Sequence, residues 1–258
     1  MYSGQDQQPP YQPPHYTPPQ QRVRFEDIGV AFQLLQKQLG AWVGAGAITT
    51  FAIAAIVAPF YIVILASLLR KGESINPVAL IGPALFMVVG ILLLSAITTS
   101  GLYQMALKQL RGQTLAVSDL FANIRQAGPV FGLLLILGFL GGIVGAILGA
   151  IAGPILGPFA GIVTSVPSYI LGALSSLSVL LVLDQNLSPL DAVKESWAKL
   201  KSEIWIALAF ILVASMASTL GSIACGVGII VTLPIYYLSV ALMYRNFYPE
   251  RFNDGGGS

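Results

Sequence analysis

The sequence predicts an all-α fold, a six-helix transmembrane bundle built from three repeats of an amphipathic interfacial helix followed by a transmembrane hairpin. Three observations predict it. Charged residues make up only 9% of the 258 residues, against about 25% in an ordinary soluble domain. Those few charges leave long gaps, since no Asp, Glu, Lys or Arg occurs in 38–69, 74–107, 126–183 or 204–244. The polar linkers between the gaps repeat one apolar spacing.

The gaps set the number of spans. They are 32, 34, 58 and 41 residues long. A spanning helix takes about 20 apolar residues, so the first two gaps hold one span each and the last two hold two each. The expected spans are about 41–69, 77–107, 129–152, 155–183, 204–223 and 226–244. Ahead of them, residues 1–24 form a Pro-, Gln- and Tyr-rich tail, QQPPYQPPHYTPPQQ at its centre, expected to be disordered with polyproline II character. This start lacks the basic stretch, apolar core and cleavage site of a secretory signal. Residues 249–258 are expected to form a flexible C-terminal tail ending in GGGS.

Orientation follows from the basic residues beside the spans. Six spans put both termini on one side, which then collects eleven basic residues, including Arg24, Lys37, Lys108, Arg111, Arg125, Lys194, Lys199, Lys201 and Arg245. The opposite side has two, Arg70 and Lys71, in the loop RKGESIN. The asymmetry places both termini in the cytoplasm and the chain in the cytoplasmic (inner) membrane of a prokaryote.

The linkers supply the repeat. Phe25, Ile28, Phe32, Leu35 and Leu39 are spaced three, four, three, four, and Leu190, Val193, Trp197, Leu200 and Ile204 repeat that spacing 165 positions later. Val117, Leu120, Ile124, Ala127 and Phe131 follow it before the third span, interrupted by Pro129. Such intervals line one stripe of a helix. Start signals agree: Ser188, Pro189 and Asp191 suit an N-cap, first helical position and first turn, with Ser118 and Asp119, and Glu26 and Asp27, in similar parts. A helix of this kind beside a span lies in the membrane interface.

The segment VLDQNLSPLDAVKESWAKLKSEIWIALAFILV, residues 182–213, resembles a recurring signature of bacterial multi-pass membrane proteins. The matching positions are Asp191, Ala192, Val193, Lys194, Ser196, Trp197, Leu200, Lys201 and Trp205. The family includes the membrane domain attached to some glycerophosphoryl diester phosphodiesterases and related stand-alone, YciC-like proteins of unknown function. The resemblance implies the fold over about residues 25–248 and no chemistry. The chain shows no soluble phosphodiesterase domain, so that activity does not carry over.

Glycine recurs at every fourth position from Gly141 through Gly145, Gly149, Gly153 and Gly157 to Gly161. Such a ladder lets helices approach closely. Gly153 and Pro154 are expected to stop one span and start the next. That leaves Gly141, Gly145 and Gly149 on a packing face of span three, and Gly157 and Gly161 early in span four. The competing reading is a polar cavity lined by Thr98, Thr164, Pro167, Ser168 and Ser218 beside helices kinked by proline. Packing is favoured, because a water-filled path usually carries charged groups at mid-depth and these gaps have none.

The chain has one cysteine, Cys225, and one histidine, His15 in the tail. A disulfide within the chain, a multi-cysteine or histidine metal centre and a Ser-His-Asp triad are therefore excluded. No catalytic, cofactor-binding or metal site is expected. Cys225 is expected to pack near an outer turn, and Asp184 to end span four at the cytoplasmic edge, where a carboxylate can reach water. The expected partners are membrane lipids and a protein at the cytoplasmic face, with no nucleic acid and the oligomeric state left open. The expected role is that of a non-enzymatic scaffold or accessory subunit. The alternatives are a transporter or exporter of a small apolar or amphipathic solute, and an accessory to lipid metabolism.

Overall fold

The computed structural model describes residues 23–69, 77–223 and 228–253, and these are helical with short connections. The helices are α1 (Glu26–Lys37), α2 (Leu39–Leu69), α3 (Pro77–Leu110), α4 (Ala127–Leu156), α5 (Ala160–Leu174), α6 (Ser178–Gln185), α7 (Pro189–Leu200), α8 (Ile204–Ile223), α9 (Ile229–Phe247) and α10 (Glu250–Asn253). Short 3-10 turns fill Val117–Phe121, Ile124–Gln126, Gly157–Phe159 and Lys201–Glu203. Expectations about the proline-rich tail, the RKGESIN loop, Cys225 and GGGS lie outside the described residues.

Among the described residues, five helical segments are long and apolar enough to cross a membrane: Leu39–Ser67, Leu80–Leu110, Val117–Leu156, Val163–Gln185 and Pro189–Gly221. The chain is a membrane protein. The sixth expected span, 226–244, begins outside the described residues and is helical from Ile229 onward as α9. Prolines 59, 83, 154, 167 and 234 all sit inside helices without ending them. Each proline leaves one carbonyl, four residues before it, without its helical donor, and neighbouring groups tolerate this in a membrane.

Three expectations are corrected. Gly153 and Pro154 do not end the third span. The helix runs on to Leu156, and the chain turns at Gly157, whose φ of +52° suits a residue without Cβ. The fourth span is not one helix either, but α5 and α6 joined by a turn at 175–177. Ser175 offers both its N–H and its hydroxyl to the Leu171 carbonyl, and Ser178 N–H then bonds back three residues to Ser175. Serines that compete in this way for backbone partners weaken the α ladder. Finally, the second amphipathic linker forms two 3-10 turns instead of a helix. Pro129 cannot donate to the carbonyl of Arg125, so an α-helix entering α4 from this side would lose a bond at the join.

Packing is uneven along the bundle. At one end the core is closed by Trp42 and Ala45 of α2, Leu102 to Leu107 of α3, Leu177 to Leu183 around α6, and Leu238 to Tyr244 of α9. Tyr103 and Tyr237 meet edge to face there, 4.8 Å apart. Towards the far end, α2 beyond Thr50 and α3 before Ser95 contain no buried residue among those described. Hydrocarbon solvates Phe51, Leu65, Leu85 and Phe86 as well as a protein core would, so no driving force demands that these faces be covered.

Glycine permits the tightest backbone contacts, one of them at that closed end. A Cβ on Gly101 of α3 would strike the backbone carbonyl of Leu120, letting the Val117–Phe121 turn lie directly on the helix. Gly221 of α8 and Gly228, just before α9, meet backbone to backbone. Gly142 on α4, by contrast, has nothing within 4 Å of where a Cβ would go. Gly101→Ala should therefore lower stability by about 1–3 kcal/mol, as overpacking against backbone does. Gly142→Ala should leave it level or slightly raised. Thermal unfolding of the two variants in detergent checks this, and a Gly101→Ala protein as stable as Gly142→Ala would contradict the packing.

Candidate functional site

Polar side chains gather at the closed end of the bundle, and each is placed by a helix terminus. Gln38 sits at the bend between α1 and α2, where its φ of −133° departs from the helix. Its amide donates to the Gln113 carbonyl at 3.0 Å and accepts the Leu115 N–H at 2.6 Å, fastening the loop that follows α3. One turn further in, Trp42 Nε1 donates to Gln109 Oε1 at 2.7 Å, and Gln109 Nε2 donates to the Leu34 carbonyl at 2.6 Å. This chain joins α2, α3 and α1, with Trp42 and Gln109 buried and Leu34 half-buried.

The last turns of α3 carry Lys108 and Arg111. Lys108 Nζ bonds both oxygens of Asp119 at 2.9 and 2.8 Å, and Asp119 also accepts the Ala116 N–H at 2.7 Å. Arg111 pairs with Asp184 at the end of α6. Asp184 further accepts the Tyr244 hydroxyl at 2.8 Å, and Tyr244 accepts from Gln185 at 3.0 Å. The Arg111 guanidinium also stands 5.6 Å over the Phe252 ring, which brings α10 into the same assembly. An amide run continues sideways, with Asn123 donating to Gln104, Gln104 to Gln126 at 2.7 Å, and Gln126 to Asn186 at 3.3 Å. Between the two ion pairs lies a pocket of about 220 Å³, lined by Gln104, Lys108, Arg111, Asp119, Asn123 and Asp184 among others. The Asp184 side chain is only 6% exposed and Arg111 37%.

The chain matches no protein-family model, no curated protein and no solved structure.

The residues singled out from the sequence are brought together only in part. Gly141 faces Ser168, whose Oγ would stand 3.1 Å from a Cβ, while Gly145 and Gly149 face Thr164 at 3.5 and 3.4 Å. Gly157 makes the turn, and Gly161 has nothing within 4 Å. Thr98 donates to the Leu94 carbonyl at 2.9 Å, Thr164 to Gly161 at 3.0 Å and Ser218 to Ser215 at 2.8 Å. Pro167 lies within α5. None of these residues lines the pocket just described.

The motif on α7 divides into two halves. Ser188 caps the helix, accepting the Asp191 N–H at 3.3 Å and donating to its carboxylate at 2.6 Å. Ala192 and Ser196 are fully buried, and they clasp the break in the fourth span: Ser178 donates to the Ala192 carbonyl at 3.2 Å, and Ser196 donates to the Leu174 carbonyl freed at the end of α5. Trp197 and Trp205 point the other way, 49% and 79% exposed.

Asp184 and the basic residues were visible in the sequence, but the amides that organise the pocket were not singled out. Their signal was there. Gln104, Gln109, Gln113, Gln126, Gln185 and Asn186 all sit at or near the ends of the charge-free runs.

Asp27 is a second buried acid of this end. It is 5% exposed on the first turn of α1, where it accepts Asn246 Nδ2 at 2.7 Å. Burial pushes its carboxyl above the ordinary value, and the Asn246 bond with the charges of Arg245 and Arg24 recovers part of that shift. A raised acid favours the folded state while protonated, and that contribution is lost as pH rises through the folded value. Asn can accept the same bond without a charge. Unfolding of the solubilised protein from about pH 4 to 7 should therefore show a stability loss in the parent that Asp27→Asn lacks. Parallel pH profiles for the two proteins would contradict this.

Proposed function

We propose that the chain is a non-enzymatic scaffold or accessory subunit of a prokaryotic cytoplasmic membrane, with six spans in three repeats and both termini cytoplasmic. One observation carries the reading. Hydroxyls along the spans donate to carbonyls of their own helices, at Thr49, Thr50, Ser67, Thr98, Ser100, Thr164, Ser215 and Ser218. A hydroxyl bonded this way is satisfied locally and offers little to a passing solute. Exposed Lys37, Arg125, Lys194 and Lys201 at the polar end support a face turned to anionic headgroups or an acidic partner, at about 1 kcal/mol each. The resemblance of 182–213 to phosphodiesterase-linked and YciC-like membrane proteins supports the same fold and site of action.

A transporter is the second reading, favoured by the break in the fourth span. The Ser176 hydroxyl is buried there with no hydrogen-bond partner, and broken helices form solute sites in many transporters. Flux of small amphipathic solutes into reconstituted vesicles separates the two. Three proteins are compared: the parent, a variant with Lys37, Arg125, Lys194 and Lys201 reversed to Glu, and Pro167→Ala. The scaffold reading expects no flux above empty vesicles in any of them, and weaker attachment to anionic vesicles for the charge-reversed protein alone. Flux by the parent that disappears only in Pro167→Ala would overturn it.

A further inference from the structure

The pocket at the end of α3 has a charge pattern that neither ion pair exhausts. Lys108 with Asp119 and Arg111 with Asp184 make it neutral as a whole. Arg111 gives one Nη to Asp184 and keeps further N–H donors, since a guanidinium has five. Asp184 accepts from Arg111 and Tyr244, two bonds where a carboxylate can take about four. Asn123 gives its NH2 to Gln104, which leaves an amide carbonyl among the lining groups. The site thus offers spare donors on cations and spare acceptors on anions within one pocket of about 220 Å³. At roughly 30 Å³ for each water, that is room for about seven waters, the bulk of a phosphate joined to a short amine.

This pattern selects among ligand charges. A bare anion would meet Asp119 and Asp184, and a bare cation would meet Lys108 and Arg111. A zwitterion satisfies both. The rim adds a second selection, because Phe121 and Ile124 flank the lining residues Ala122 and Asn123 and are exposed. An apolar rim beside a polar pocket at the end of a membrane-spanning helix suits a molecule with a charged head and an apolar tail. We propose that this pocket binds the headgroup of a zwitterionic aminophospholipid, its phosphate on Arg111 and Lys108 and its primary ammonium on Asp184, Asp119 and the Asn123 carbonyl. The inference rests on the chain being a membrane protein and is independent of whether it acts as a scaffold or a transporter.

The test uses the full chain in detergent with defined lipids, read as lipid retained in native mass spectrometry. Phosphatidylethanolamine should be retained about tenfold better than phosphatidylglycerol, which lacks the cation, and than phosphatidylcholine, whose quaternary amine has no N–H to donate. Asp184→Asn and Asn123→Leu should each erase that preference, while Gln33→Ala, on the exposed side of α1, should keep it. Asn123 is exposed, so its variant folds even where loss of the Arg111 partner unsettles the protein. Soluble glycerophosphoethanolamine should fail to displace the lipid at matched concentration. Equal retention of the three lipids, an unchanged preference in Asn123→Leu, or displacement by the soluble headgroup would each overturn the proposal. None of these results bears on solute flux, so the functional reading stands or falls separately.

Discussion

Hydrocarbon offers no hydrogen bond, so every polar group in a membrane-embedded helix must find its partner within the protein or sit where water begins. The architecture follows from how this chain meets that constraint. Hydroxyls such as those of Thr49, Thr98 and Ser215 turn back to their own helices. Side chains too polar for that solution are collected at one end, where Trp42, Gln109 and Leu34 form the innermost link. With those three elements joined, α3 presents Lys108 and Arg111 at a fixed height. Their partners Asp119 and Asp184 then hold the turn before α4 and the end of α6.

The same constraint explains why packing is dense at one end only. Fully buried Leu102, Met105, Leu180, Leu181, Leu238 and Leu242 belong to the same core as Trp42, whose bond to Gln109 is itself buried. A hydrogen bond in so dry a setting is strong, and an unpaired partner there is correspondingly costly. Towards the far end, among the described residues of α2 and α3, the two helices meet at Gly90, which packs against Ile56. Two helices share the task of closing the polar end in matching fashion. The buried positions of α1 are Asp27, Ala31 and Leu35, and those of α7 are Ala192, Ser196 and Leu200. These sets differ by the 165 positions read from the sequence spacing. Phe32 and Trp197 also correspond, and both are half exposed, as suits residues at a membrane interface.

Gaps between charges made the long helices legible, because composition alone decides what lipid will solvate. The amphipathic stripes of α1 and α7 were legible for a similar reason, although their apolar residues divide between a buried edge and an exposed one. Local backbone chemistry was harder to read. Whether the chain turns at Gly153 or Gly157 depends on which glycine takes a positive φ, and both stand before a proline. The break after Leu174 depends on Ser196 reaching a freed carbonyl from another helix, which no local pattern encodes. The pocket was the least legible part. Arg111 and Asp184 are 73 residues apart, and Gln109 and Leu34 are 75 apart. Spacing within one helix says nothing about such pairs.

The central claim is that the buried link from Trp42 to Gln109 ties the bundle together. A double-mutant cycle of Trp42→Phe and Gln109→Leu, followed by unfolding in detergent, tests it directly. Each single change leaves a buried polar group without its partner, which costs about 1–3 kcal/mol. The double change removes the mismatch between the two side chains, while the Leu34 carbonyl loses its donor equally in both Gln109→Leu proteins. The two should therefore couple by roughly 0.5–3 kcal/mol, and the double variant should be more stable than the sum predicts. Strictly additive losses would show that the link does not hold the helices, and the account of the closed end would have to be abandoned.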